Sequence, residues 1–371
     1  MTRKPRILFV LATALGWSTY AAQLKTALAP RDDFEWRVFH PARNRWLKIP
    51  LKRHHMSKSD RVFRHFDPIQ AWDGYLGTWV RREISEFRPD FIHFGDQLPG
   101  ASILSQSGTP PFSASFDATR RNMNDFLPHA DWNAADMERE ASLLRKASRL
   151  YPWSAWAGDS AAAHYGVDPS RIEVIFPSID PRMFRPPSPD QKSGGLPKIL
   201  FIGNDFRRKG GHMLHDWVVG PLNGLCELHI VSRDPAATDL AGPHVVVHGP
   251  VPHKTLVQEL IPSMDVLCHP TQSDMSAYVV VEASFAGLPS IASGIGGIPE
   301  LIRHGETGWV VEASDQDGFI SRLREAIASP DRLREAGRRA RALAQDKFDA
   351  LKNYDSMFDQ VRELAYENAR N

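Results

Sequence analysis

Short apolar runs alternate with helix-forming stretches along the whole chain, and the alternation restarts after a break rich in proline and glycine. In the first half, Ile7–Val10, Glu35–Phe39, Phe91–Phe94, Phe112–Phe116, Tyr151–Trp153 and Ile172–Ile175 read as strands. Between them, a helix over Ala134–Leu150 carries acids early (Asp136, Glu138, Glu140) and bases late (Arg145, Lys146, Arg149), matching the helix dipole. A second helix over Ser160–Tyr165 stops at Gly166. Strands joined through helices require parallel sheets with right-handed crossovers. From Pro181 to Pro197, five prolines and a glycine pair within seventeen residues predict a linker. The second half repeats the pattern with Ile199–Ile202, Leu228–Val231, Val245–Val247, Val266–Cys268, Ser290–Ala292 and Trp309–Val311. From Ser329 to Arg370 the chain is almost wholly helix-forming, with a break near Asp346–Asp349. The expectation is an α/β protein of two Rossmann-like, doubly wound domains, residues 1–180 and 198–345, joined by 181–197. A C-terminal helix over 346–371 packs toward the first domain. Open α/β sheets bind ligands at the carboxyl ends of their strands, which places the site in a cleft between the domains.

At 371 residues, each half can bury its own core. Formal net charge is +1, so no global field points to nucleic acid as a partner. Charge is uneven locally: from Arg43 to His65, eight Lys and Arg stand against Asp60 alone. That run reads as a solvated face. With Trp46, Leu47, Ile49 and Leu51 interleaved, it also reads as a patch for an anionic acceptor or a membrane surface. Two cysteines, Cys226 and Cys268, fit buried thiols in a reducing compartment better than a disulfide framework. Arg3, Lys4 and Arg6 before Ile7–Trp17 resemble a secretory leader, but the same run is a good first strand and turn of an α/β domain. No apolar run reaches the ~18 residues that a spanning helix needs. The expected location is therefore cytoplasmic, with room for peripheral contact at the inner face of a membrane.

Two segments carry chemistry. After strand Ile199–Ile202 come Gly203, the loop Asn204–Lys209, and then Gly210-Gly211 opening a helix. Gly203 lets backbone approach a ligand, while the helix start offers free N–H groups beside Arg207, Arg208 and Lys209, the makings of a diphosphate site. After Val266–Cys268 comes the polar loop His269–Asp274, then a short helix from about Ala277 with Ser276 at the N-cap and Gly287 as its stop. Glu282 sits in that helix among Val279, Val280, Val281, Ala283 and Phe285, where a carboxylate needs hydrogen-bond donors. A ribose diol supplies two.

Asp274 and Glu282, with seven residues between them, are followed by Gly287-Leu288-Pro289-Ser290, Gly296-Gly297-Ile298-Pro299-Glu300 and His304-Gly305-Glu306-Thr307-Gly308-Trp309. This order resembles the acid–seven residues–Glu signature of glycosyltransferase family 4, strongly over Ile172–Val311 and more weakly before it. The resemblance implies the GT-B fold and a retaining, metal-independent hexosyl or related transferase using a nucleotide-diphosphate sugar, with no other cofactor and an unidentified acceptor. It implies that Glu282 holds the ribose, Lys209 and the amides of Tyr278, Val279 and Val280 hold the diphosphate, and Asp274 holds the sugar's hydroxyls. Two departures stand out: the first acid is Asp274 where Glu is usual, and Asn204 replaces a basic residue for which Arg208 is the substitute. Gly16, before Trp17-Ser18, resembles a loop that approaches the donor phosphates. Asp117, in Ser115–Thr119, resembles a polar motif near the anomeric carbon and also suits a plain strand-end cap.

The expected metal site is none. Asp315-Gln316-Asp317 reads as a helix cap rather than a metal-diphosphate motif. Arg233-Asp234 and Gly249–His253 are candidate base-contacting loops. Competing readings are a GT-B epimerase, a phosphorylase and a non-catalytic nucleotide-sugar binder. A dinucleotide-dependent oxidoreductase is weaker, since no GxGxxG follows a first strand.

Overall fold

The computed structural model describes residues 3–12, 16–40, 68–96, 103, 108–126, 132–185 and 195–370 (backbone only for 68–76 and 370). The basic run Arg43–His65 lies outside the described residues, as does part of the 181–197 linker. Two compact units emerge: residues 1–175 with 354–371, and residues 176–353.

The first unit holds strands β1 (Arg6–Val10), β2 (Glu35–Phe39), β3 (Phe91–Phe94), β4 (Phe112–Phe116) and β5 (Arg149–Pro152). They form a parallel sheet in the order β2-β1-β3-β4-β5. Helices α1 (Gly16–Leu28), α2 (Pro68–Phe87), α3 (Arg120–Phe126) and α4 (Ala134–Lys146) lie between the strands, and α5 (Ala155–Tyr165) follows the last of them. β3 and β4 are buried along their whole length, as expected of strands covered on both faces. Leu8, Val10, Ile92, Phe94, Ala114 and Phe116 make the centre of this core. Polar groups run through it: the Tyr20 hydroxyl lies 2.9 Å from His93 Nε2 and 3.0 Å from Ser115 Oγ, and His93 Nδ1 lies 2.9 Å from Ser113 Oγ. Burial pushes His93 down to about 3, which keeps the imidazole neutral.

The helix expected over Ala134–Leu150 ends at Lys146, because Arg149 already begins β5. The helix expected from Ser160 starts at Ala155, where Ser154 accepts the Ala157 N–H at 3.2 Å; Gly166 ends it at φ 68°. Residues Ile172–Ile175 do not form the expected strand. They run beside β5, with Glu173 N donating to Leu150 O and Ile175 N to Pro152 O, both at 2.9 Å. Pro152 has no N–H to return, so the ladder stops at one bridge, Leu150–Ile172.

The second unit holds β6 (Lys198–Ile202), β7 (Glu227–Val231), β8 (Val245–Val247), β9 (Val266–His269), β10 (Ser290–Ser293) and β11 (Gly308–Val311), all parallel, in the order β11-β10-β9-β6-β7-β8. Helices α6 (Gly211–Val219), α7 (Tyr278–Phe285), α8 (Gln316–Ile327) and α9 (Pro330–Lys347) belong to it. Its core gathers Ile199, Phe201, Leu228, Val266, Ile291 and Trp309, with Trp217 stacked on Phe319 at 5.4 Å. Cys226 and Cys268 are free, buried thiols here, and burial raises both. Asp315 caps α8 by accepting the Gly318 N–H at 2.8 Å.

Helix α10 (Ala350–Arg370) returns the chain to the first unit, where Phe358 meets Phe9 edge-on at 5.7 Å and Arg31 pairs with Asp359 at 2.6 Å. Among the described residues no helix is long and apolar enough to cross a membrane.

In the second sheet, successive strands progress one way from β6 through β7 and β8, and the other way from β9 through β10 and β11. The chain therefore reverses direction between the adjacent β6 and β9. Their carboxyl ends form the crevice where open sheets of this kind take ligands.

Candidate functional site

The loops leaving β6 and β9 are built against each other. Gly210 adopts φ 77°, and a Cβ there would lie 2.0 Å from Pro270 O, so only glycine lets the first loop approach the second this closely. A Cβ on Gly211 would enter the Phe206 ring at 2.3 Å. Arg208 then fastens the two loops. Its Nε donates to Asp205 Oδ2 at 2.7 Å and its Nη1 to Ser273 O, while its own carbonyl accepts the Gln272 N–H at 2.9 Å.

These contacts revise two expectations. The Gly210 and Gly211 amides are not free for an anion, since they donate to Arg207 O at 3.0 Å and Phe206 O at 2.8 Å within the turn. Arg208, the expected substitute for the basic residue missing at Asn204, has its guanidinium engaged by Asp205 and Ser273. Asn204 has a structural task of its own, accepting the Arg233 N–H at 3.2 Å. Asp234 is likewise occupied, with the Phe206 and Ala236 amides at 2.9 and 3.0 Å.

Lys209 and Asp274 meet at the junction. Lys209 Nζ lies 3.0 Å from Asp274 Oδ2, with the two side chains 20% and 13% exposed. The lysine stem lies along Gly203, where a Cβ would stand 2.9 Å from its Cδ. His269, at the end of β9 and wholly buried, places Nε2 3.3 Å from the same Oδ2. Burial opposes the Asp274 charge, but Lys209 and His269 outweigh it and hold the carboxyl well below the ordinary carboxylate range. Burial lowers His269, so it is the neutral ring whose Nε2–H donates to Asp274. Its Nδ1 is buried with no hydrogen-bond partner among the described residues. The expectation left Lys209 free for a diphosphate and Asp274 free for a sugar; in the structure the two bind each other. An ammonium has three donors, and Oδ1 of Asp274 takes no bond from a described residue, so both groups keep capacity for a ligand. The loop is held from behind by Gly296 (φ 56°), where a Cβ would stand 2.5 Å from Asp274 O, and by the Gly297 N–H, which donates to Met275 O at 2.8 Å.

Helix α7 follows directly. Ala277, not Ser276, occupies the N-cap position and makes no side-chain cap, while Ser276 Oγ is buried without a partner among the described residues. Val280 N donates to Ala277 O at 3.0 Å, so the Val280 amide, expected at the diphosphate, is engaged within the first turn of the helix. Gly287, at φ 74°, ends the helix as expected. Glu282 is 6% exposed, and the donor it needs is His253, whose Nε2 lies 2.7 Å from Oε1. That hydrogen bond raises His253, against partial burial. Oε2 takes no bond from a described residue.

The second unit thus brings together Gly203, Arg208, Lys209 and Asp274, and sets Glu282 with Tyr278, Val279 and Val280 on the next helix. Gly16 and Asp117 belong to the first unit. Gly16 opens α1 after β1, and half-buried Asp117 follows β4. The rings of Trp17 and Trp153 meet at a tilt with centroids 4.2 Å apart, and Trp153 is buried in the core. Sequence reasoning gave no role to His269 and took His253 only for a base-loop residue. His269 had a signal, as the residue leaving β9 five positions before Asp274; the His253–Glu282 pair spans 29 positions and had none. Among the described residues no group of three or more His, Cys, Asp or Glu is placed to hold a metal ion.

Comparison with known proteins places both units. A family model described as Glycosyltransferase Family 4 matches residues 16–182, and one described as Glycosyl transferases group 1 matches residues 196–329. D-inositol 3-phosphate glycosyltransferase 1 of Catenulispora acidiphila is 28% identical over 274 residues, covering 66% of this chain and 65% of the relative. The chain spans between half and two thirds of the length of this and the next such relatives. Among solved structures, sucrose-phosphate synthase from Thermosynechococcus elongatus superposes with a TM-score of 0.77 at 18% identity, over 98% of this chain and 99% of that one. Anabaena Alr3699/HepE in complex with UDP superposes with a TM-score of 0.74 at 17% identity, over 96% and 100%.

Proposed function

Because the chain belongs to glycosyltransferase family 4 and has the GT-B fold, we propose that it is a retaining, metal-independent transferase that moves a sugar from a nucleoside-diphosphate donor to an acceptor hydroxyl. The observation that carries the reading is the convergence at the β6–β9 crevice of Lys209, Asp274 and the amide end of α7, with Glu282 inside that helix. Glu282 accepts the pentose hydroxyls through Oε2, and Lys209 with the Tyr278 and Val279 amides holds the diphosphate. Asp274 takes a sugar hydroxyl through Oδ1. UDP bound to the Anabaena structure supports a nucleotide ligand for this fold.

The chemistry needs charge stabilisation more than a nucleophile. As the bond from the anomeric carbon to the diphosphate oxygen breaks, its electron pair leaves with the diphosphate, and fixed donors that meet the growing charge lower the barrier. The acceptor oxygen bonds to the anomeric carbon on the same face, and its proton passes to the departing phosphate oxygen. Lys209 and the α7 amides are the fixed donors in this chain. Arg208 acts by holding their loops in register.

The test is a thermal-shift panel of UDP-, GDP-, ADP- and TDP-sugars, followed by transfer assays with the donor that stabilises the protein. Stabilisation by one donor family and acceptor-dependent release of nucleotide support the reading. Release without an acceptor points to an epimerase, and binding with no turnover on any acceptor points to a binding module.

A further inference from the structure

Each carboxylate of the acid–seven residues–Glu pair has a histidine on one oxygen: His269 on Asp274 Oδ2 and His253 on Glu282 Oε1. The two histidines differ in the property that decides what they can do. His269 is 0% exposed and neutral, a fixed donor, whereas the His253 side chain is 45% exposed and can exchange its proton with water. The Glu282 side chain beneath it is 7% exposed, so His253 sets a proton-exchanging group directly against a sheltered carboxylate. Among the described residues Glu282 is the partner of the ring, and Lys254 is the charged neighbour on its own turn, the helical turn His253–Thr255.

Resting on the assignment of Glu282 to the pentose, we propose that His253 is a positioning residue that holds Glu282 Oε1, leaves Oε2 to accept the nucleotide's hydroxyls, and adds a positive charge to the anion site when its ring is protonated. A carboxylate with one oxygen fixed cannot swing its acceptor away from the diol. A protonated ring also offsets the carboxylate's repulsion of a diphosphate arriving nearby, and a neutral ring does not. The proton therefore binds more tightly to the liganded protein than to the free one, and by linkage affinity falls as pH rises through the His253 titration.

The experiment is calorimetric titration of the full chain with UDP-glucose, GDP-mannose and ADP-glucose from pH 5.5 to 8.5. These donors are diphosphate diesters with no ionisation of their own in that window. Wild type is expected to bind one of them about fivefold more weakly at the alkaline end, the effect of a single half-exposed charge on a neighbouring anion. His253→Gln keeps a donor without the charge and should bind with a flat profile at the weak end. His253→Lys keeps the charge and should be flat at the tight end. A purely structural role for His253 would lower affinity in both variants alike. A wild-type slope that survives in His253→Gln overturns the inference and leaves the donor site standing. Failure of all three donors to bind overturns the site and the inference together. Independently of any ligand, 13C-labelled histidine spectra should show His253 titrating lower in Glu282→Gln than in wild type; an unmoved titration refutes the pair itself.

Discussion

Replacing Lys209 by methionine removes an ammonium from a sheltered carboxylate while keeping the stem that lies along Gly203. Breaking a fully buried ion pair by removing one partner costs about 3–5 kcal/mol. Here the side chains retain 20% and 13% exposure and Asp274 keeps its bond from His269, so a cost of roughly 2–3 kcal/mol is expected. Asp274→Asn leaves an ammonium with access to water and should cost less, about 1–2 kcal/mol. In the double variant neither charge is stranded. It should therefore lose roughly 1–2 kcal/mol less than the sum of the single losses, since residues in direct contact couple at that scale. Urea unfolding of the four proteins at pH 7 measures this coupling. The acid limb gives a second readout. The folded Asp274 carboxyl is depressed, so its stabilisation is complete above the unfolded carboxylate range and is lost as pH falls through the still lower folded value. The gap between wild type and Lys209→Met should accordingly close in acid. Losses that add to within about 0.5 kcal/mol would refute the pair as an energetic unit.

Other outcomes follow from the same geometry. Gly210→Ala and Gly296→Ala each place a Cβ against backbone carbonyl oxygen at positive φ, and should cost more than about 2 kcal/mol in thermal or urea unfolding. A serine-like tolerance at either position would contradict the loop packing. Arg208→Ala should raise KM for the donor more than it lowers kcat, because its guanidinium ties Asp205 to Ser273 rather than reaching free from the loop; a selective loss of kcat would assign it to the transition state. His93 is held neutral at about 3, so the unfolded chain binds a proton that the native one refuses as pH drops below the ordinary 6.5. Stability should fall on acidification through that window and fall less in His93→Gln, as seen by unfolding at pH 7 and pH 5.

The central strands were legible because buried parallel strands are continuous apolar runs, as Phe91–Phe94 and Phe112–Phe116 are; the more exposed edge strands Glu35–Phe39 and Val245–Val247 also lie where the pattern put them. Ile172–Ile175 failed because the pattern sees apolarity and not the missing N–H of its neighbour Pro152. The candidate site was legible where its residues follow closely along the chain, as Asp274 does in one loop and Glu282 in the helix that loop leads into. It was illegible where a partner arrives from elsewhere in the fold. A buried carboxylate announces that it needs a donor, but nothing near Glu282 in sequence says that His253 provides one. The same holds for Lys209, 65 residues from the carboxylate it meets. Glycines misled in an instructive way. Gly210 and Gly211 look like room for a phosphate, yet Gly210 makes room for Pro270 of the neighbouring loop and Gly211 for the Phe206 ring of its own.

The proposed function requires the crevice at the ends of β6 and β9 to bind a nucleoside diphosphate, with Glu282 on its pentose. Calorimetric titration of a donor sugar into wild type and Glu282→Leu tests it most directly. One saturable site is expected in wild type, weakened on the order of a hundredfold in the variant by loss of charge-assisted hydrogen bonds to the diol. Equal affinity in the two proteins would contradict it.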